Sequence, residues 1–234
     1  MRKSLVIIHA DPYPVMEFDH YKNLVIEANN NNIILTTHWR SEWIDIMTSG
    51  DISYLMSQKH ENGYHHHGAN HPTSPDGYSN DPVFMTDSRY KGSMADYLNK
   101  FSKLNRYVEL TSASMSDEEY DWIDTIHYDS NGINNLDTEY ITLPSEQIFK
   151  GVTVASIGHY FPMYGGASLS EINSRFNLMK SLYDSDRVGV CSVVFHIKNF
   201  ITYSQQIKDW FKFLSFSSIE TIGIKQLLSS FMKE

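Results

Sequence analysis

"SLVIIH" (Ser4–His9) is a short, unbroken apolar run rich in β-branched residues, followed at once by "ADP" (Ala10–Pro12). A strand that is apolar at nearly every position needs cover on both faces, as a parallel strand beneath helices has. Working outward, the same grammar repeats. "FDHYKNLVIEANNNN" places Tyr21, Leu24, Val25 and Ala28 at helical spacing behind Asp19, a candidate N-cap, and stops in the run Asn29–Asn32. "IILTTHW" (Ile33–Trp39) reads as a second strand, and "DISYLMSQKHENG" (Asp51–Gly63) as a helix stopped at Gly63. A histidine-rich segment then sits where a third strand should end.

Further on, "PVFMTDS" (Pro82–Ser88) reads as a strand, "SMADYLNKFSKL" as a helix, "RYVELT" as a strand and "SDEEYDWIDTI" as a helix with an acidic first turn that suits its dipole. Tyr128–Pro144 shows no clear period. "GVTVASIGHY" (Gly151–Tyr160) returns to strand, and Gly165–Gly166 breaks the chain before the helix "SLSEINSRFNLMKSLY". Then come the strand "RVGVCSVVFHI", the helix "SQQIKDWFKFL" and a short strand and helix in "ETIGIKQLLSSF". Ile207, Trp210, Phe211 and Leu214 recur at i, i+3, i+4 and i+7. Alternation of this kind predicts an α/β fold of parallel strands joined by helical crossovers, a closed or partly closed barrel first and a doubly wound open sheet second. A single domain over 1–234 is expected, with no repeat or linker dividing it.

The formal net charge is −9, without a long basic run, which argues against nucleic acid or an anionic membrane surface as partner. Cys191 is the only cysteine and can form no internal disulfide. The apolar stretch after Met1–Lys3 runs only from Leu5 to Ile8, short for a signal peptide, and no run of about 20 apolar residues is present to span a bilayer. A cytoplasmic location is the expectation.

Function in a barrel gathers at the C-terminal ends of its strands. The expected strand ends deliver His9 and Asp11, His38 and Trp39, His67 and His71, Asp87 with Ser88 and Arg89, His159 and Tyr160, and His196. His67 and His71, in "HGANH", have i, i+4 spacing; on a helical turn both imidazoles share one side, about 5–6 Å apart, close enough for one metal ion. One carboxylate, with Asp11 the best candidate, would complete a His₂/Asp site open to water and substrate. A solvated histidine loop would explain the same spacing without a metal. His196 suits a general acid aimed across the barrel mouth, or equally a core histidine bonded to a backbone carbonyl. Asp87 and Arg89 could form only a surface ion pair, or Arg89 could fix a carboxylate that orients a catalytic group. His38, Trp39, His159 and Tyr160 are candidate substrate contacts.

These residues resemble the motifs of the polysaccharide deacetylases, metal-dependent carbohydrate esterases that remove acetyl groups from sugars. "KHENGYHHHGANH" resembles the family's second motif, H-[ST]-x-x-H. "LVIIHADPYP" stands where the first motif has paired aspartates, and "GVCSVVFHIKNF" resembles the last motif, a strand ending in Leu-x-His. The resemblance implies a distorted (β/α)₇ barrel, metal ligation by Asp11, His67 and His71, and His196 as the acid that protonates the departing amine. It implies one divalent metal, zinc favoured by the ligand set, with cobalt, nickel or iron able to replace it. Arg89 would stand for the arginine of the third motif. In the paired-aspartate motif the first carboxylate is the base and the second a ligand; here Ala10 precedes Asp11 and Pro12 follows it. Asp11 is then the ligand, and His9, Asp19 and Asp87 are candidates for the base. The expected activity is metal-dependent deacetylation of an N-acetylated sugar or oligosaccharide. An inactive barrel binding carbohydrate or a partner protein is the alternative that Ala10 suggests.

Overall fold

The computed structural model describes residues 2–10, 18–66, 99, 102–115, 128–129, 145–149, 152–156, 159–163, 167–184 and 190–231. Strands β1 (Lys3–Ala10) and β2 (Leu35–Arg40) flank helix α1 (Phe18–Asn30), close to the sequence expectation. Helices α2 (Ser41–Ile46) and α3 (Ser49–Ser57) follow, and then β3 (Glu61–His66). The helix expected to run to Gly63 therefore ends at Ser57, and "ENGYHH" is itself the third strand. Thr48 and Asp51 start α3 with a reciprocal cap: the Thr48 N–H donates to Asp51 Oδ2 at 2.9 Å and the Asp51 N–H to Thr48 Oγ1 at 3.2 Å.

The remaining strands are β4 (Leu110–Met115), β5 (Tyr128–Asp129), β6 (Ser145–Phe149), β7 (Val152–Ser156), β8 (His159–Met163), β9 (Val190–His196) and β10 (Glu220–Thr221). Helices α4 (Leu169–Asp184), α5 (Ile197–Thr202), α6 (Ser204–Phe216) and α7 (Ile224–Phe231) follow, and residues 102–105, before β4, are also helical. The main sheet runs β5-β4-β3-β2-β1-β9-β8, with every neighbouring pair parallel, and β10 pairs with the start of β1. The first strand thus lies between the second and the last long one. That is the cyclic order of a barrel wound in one direction, and it differs from a doubly wound sheet, whose order reverses part-way. "GVTVASIGHY", expected as one strand, divides. Its first half forms an antiparallel hairpin, β6 with β7, and His159–Tyr160 open β8.

Pleating sorts the side chains of β1 between two environments. Val6, Ile8 and Ala10 join the larger core, which α1, α4 and α6 cover from outside. Within it Phe176 of α4 stacks on Trp210 of α6 with centroids 4.7 Å apart. Leu5 and Ile7 point the other way, into a smaller cluster with Val194, Ile222, Ile224 and Leu227. That cluster fills the barrel interior at its N-terminal end. Glu61 is anchored in the same region, where it accepts the Lys225 N–H at 3.0 Å. Burial pushes the Glu61 carboxyl above the usual range, opposed by hydrogen bonds from the Lys225 and Gln226 amides and from Thr111. A Cβ on Gly223 would stand 2.0 Å from the Glu61 carboxylate, so this residue must be glycine while Glu61 keeps its place.

His60 closes the lower edge of β2, where its Nδ1 accepts the Leu35 N–H at 3.2 Å. The proton must therefore sit on Nε2. Burial, with Lys59 adding a smaller repulsion, pushes the imidazole down to about 4. The unfolded chain binds this proton near pH 6.5 and the folded chain only near pH 4, so His60 removes stability as pH falls through that window. The expected loss is about 3 kcal/mol, complete near pH 4. Urea denaturation at a series of pH values should show a shallower acid loss for His60→Asn, which retains an acceptor, than for the wild type.

Candidate functional site

One register row crosses the sheet near the C-terminal ends of its strands. His9 pairs with His196 on one side and His38 on the other, His38 pairs with Gly63, and Gly63 with Ser112. Residues in register on parallel strands point to the same face, so His196, His9, His38 and Ser112 share the interior face above the apolar cluster. All are buried: His9 is 4% exposed, His38 0%, His196 3% and Ser112 0%. The His9 ring lies 5.8 Å from that of His38, tilted by 34°, and 5.5 Å from that of His196, edge-on at 88°. His38 Nε2 and Ser112 Oγ are hydrogen-bonded at 2.9 Å across β3.

Two local features make that bond possible. A Cβ on Gly63 would meet the Ser112 carbonyl oxygen at 2.4 Å, His38 Cδ2 at 2.6 Å and Ser112 Oγ at 2.7 Å. The histidine ring therefore lies where any other residue's side chain would begin. The register also slips between Asn62 and Gly63, which face Leu110 and Ser112 and leave Thr111 as an extra residue. Leu110 packs into the outer core, whereas Thr111 Oγ1 comes within 3.4 Å of Glu61 Oε2, and Ser112 faces His38.

At the end of β9, the N-cap position of α5, Asn199 Oδ1 accepts the His196 backbone N–H at 2.9 Å. Asn199 is itself 0% exposed. This reverse bond fixes where the strand stops and thus where the imidazole projects. Asn199→Ala is expected to lower stability by about 1–2 kcal/mol, since it leaves a buried N–H without this acceptor. Thermal melting of Asn199→Ala beside Asn199→Asp, which retains the acceptor oxygen, should place the larger loss in the alanine variant.

Several expected site residues stand elsewhere. Trp39 is 0% exposed on the opposite face of β2, stacked on Phe18 at 5.9 Å and donating to Asn62 Oδ1 at 2.8 Å. It is core rather than a substrate contact, because neighbours in a strand cannot both face the site. His159 and Tyr160 begin β8 in register with Cys191 and Ser192, five and four residues, or about 16 and 13 Å, along the strand from the His196 row. They lie towards the wrong end of the sheet for substrate contact; "VTVAS" belongs to the hairpin, and β8 starts where a strand end was expected. Asp19, a candidate base, lies in the first turn of α1, exposed and paired with Lys22 at 3.3 Å. Ala10 turns outward into the helix-covered core, so its place before Asp11 leaves no gap on the site face, which His9 occupies.

Asp11, His67, His71, Asp87 and Arg89 lie outside the described residues, though β1 ends immediately before Asp11 and β3 immediately before His67. Among the described residues no three His, Cys, Asp or Glu side chains could hold a metal ion. Reading the sequence passed over Arg40 and Ser112. Arg40, only 2% exposed, sits two residues beyond His38 on the same strand, and an arginine closing a strand of buried residues was the available signal. Ser112 gave no signal, because the bulge that turns it inward breaks the alternation.

Neither a family model nor a curated protein matches the chain. Solved structures do. A protein assigned as a polysaccharide deacetylase in Mycobacterium smegmatis superposes with a TM-score of 0.59 at 11% identity, over 99% of this chain and 91% of that one. The D285S variant of the peptidoglycan deacetylase PdaC from Bacillus subtilis does so at 0.53 and 10% identity, over 99% and 92%. The chain has the polysaccharide deacetylase fold. Among the described residues, seven parallel strands follow one another in cyclic order, with β10 added beside β1, as expected of the distorted (β/α)₇ barrel. A deacetylase fold does not by itself fix the chemistry. A 4-alpha-glucanotransferase from Thermococcus litoralis shares it at TM-score 0.52 and 12% identity, over 98% of this chain and 40% of that one, so activity has to be argued from side chains.

Proposed function

We propose that this chain is a metal-dependent hydrolase that removes an acetyl group from an N-acetylated sugar or oligosaccharide. The observation that carries the reading is His196. It ends β9 on the interior face of a deacetylase fold, in register with His9, with its backbone locked by Asn199. In this reading the imidazole would give a proton to the amine that leaves when an acetamide is cleaved. Asp11, His67 and His71 would hold the divalent ion, zinc by preference, with cobalt, nickel or iron as substitutes. Bound there, such an ion supplies Lewis-acid chemistry and a water of lowered pKa. The buried row beneath the mouth would exclude solvent from one side of the reacting group. Asp87 and Arg89 belong to the reading as a catalytic carboxylate and its orienting partner.

A cytoplasmic location is part of the proposal. No described helix is long and apolar enough to cross a membrane. A glycan precursor made inside the cell is then a better substrate than finished wall polymer. The test combines elemental analysis of untagged protein with acetate release from a panel of N-acetylhexosamine oligosaccharides. About one transition metal per chain, lost in His67→Ala together with acetate release, is the expected result. Metal-loaded protein that frees no acetate from any member of the panel would overturn the reading.

A further inference from the structure

We infer that His38 is a positioning residue of this site and that Ser112 is the group that holds it; the kinetic part of this inference rests on the deacetylase reading, the structural part does not. Three locally unfavourable choices converge on one contact. Gly63 weakens the interior of a strand that has neighbours on both sides. The extra residue at Thr111 interrupts the ladder between β3 and β4. Ser112 puts a hydroxyl into a fully buried position. Each is needed for the 2.9 Å bond between His38 Nε2 and Ser112 Oγ across Gly63. Breaches of local sequence preference that share one beneficiary mark a functional demand.

The beneficiary does not itself meet substrate, because His38 is 0% exposed. It acts through the next ring. His38 forms one wall of His9 at 5.8 Å, and His9 meets His196 edge-on at 5.5 Å. Ser112 therefore holds one end of a row of three imidazoles whose other end is the proposed acid.

Ser112→Ala removes a single oxygen and should fold. In metal-free protein labelled with 15N-histidine, the imidazole signals of His38 should move in this variant, and those of His9 and His196 should move with it. Movement confined to His38, or none at all, would overturn the inference. With zinc present and an N-acetylglucosamine tetramer as probe, Ser112→Ala should lose about 10- to 100-fold in kcat with KM unchanged, the scale of a small misplacement of a reacting group. In a His38→Gln background the same substitution should cost nothing further. A kcat equal to wild type in Ser112→Ala, or a full second loss in the double variant, would count against it. Should the wild type free no acetate from the tetramer, the deacetylase reading fails, while the imidazole spectra still decide whether Ser112 acts through His38.

Discussion

Gly63→Ala is expected to destabilise the protein by about 3 kcal/mol, the upper end of the cost of overfilling a packed interior. For a chain of this length that lowers Tm by roughly 10 °C. The added methyl would sit 2.4 Å from the Ser112 carbonyl oxygen and 2.6 Å from the His38 ring. A side-chain tip could swing away, but the nearest obstacle is backbone in the adjacent strand, so β3 and β4 must separate or His38 must leave its place. Either outcome breaks the His38–Ser112 bond, and activity should fall further than stability alone would explain. Gly50 is the control. A Cβ there would meet only Thr48 Oγ1, at 3.5 Å, and it lies within α3. Gly50→Ala should leave Tm unchanged or raise it slightly, because alanine is the better helix former by about 1 kcal/mol. Calorimetry on the two variants checks both, and equal melting temperatures for Gly63→Ala and wild type would refute the steric account.

His196→Ala is expected to lower kcat for acetate release by about 10²–10⁴, the usual contribution of a positioned proton donor. Most of the fold should survive. Half of the reciprocal cap at this corner, the His196 N–H donating to Asn199 Oδ1, survives any side-chain substitution at His196, whereas the half in which the His196 side chain accepts the Asn199 N–H is lost in the alanine variant. The apolar residues beneath, Val194 and Ile7, belong to a cluster that does not include the imidazole. His196→Asn, nearer in size, separates the loss of the proton donor from the loss of volume. Acetate release by either variant at the wild-type rate would remove His196 from the mechanism.

The chain's pattern of apolar runs made most of the fold legible and left specific places opaque. Ser4–His9 and Ile33–Trp39 could be read as buried parallel strands because every residue but Ile34 is buried, and β1 and β2 differ from those bounds by a residue or two. β3 was hidden. "ENGYHH" has the composition of a turn, since Glu61, Asn62 and Gly63 were chosen for a helix cap, an indole partner and an absent side chain rather than for strand propensity. Among the site residues, His38 and His196 were visible as polar residues closing apolar strands. Trp39 was misread for a reason the sequence itself contained: it is the immediate neighbour of His38, and a pleated strand sends the two to opposite sides. His159 and Tyr160 were misplaced because an antiparallel hairpin and a sheet strand follow one another in β7 and β8, and apolar content alone cannot divide them.

The spare residue in β4 bears on how the kinship of this chain can be traced. With Thr111 intercalated, the two halves of the strand are out of phase, and whatever alternation an alignment expects after Leu110 arrives one place late. Methods that forbid gaps inside strands will score the second half of β4 inside out. A sequence profile that allows one insertion there, and glycine opposite it, is the form in which distant relatives carrying the same paired histidine and serine should become recognisable.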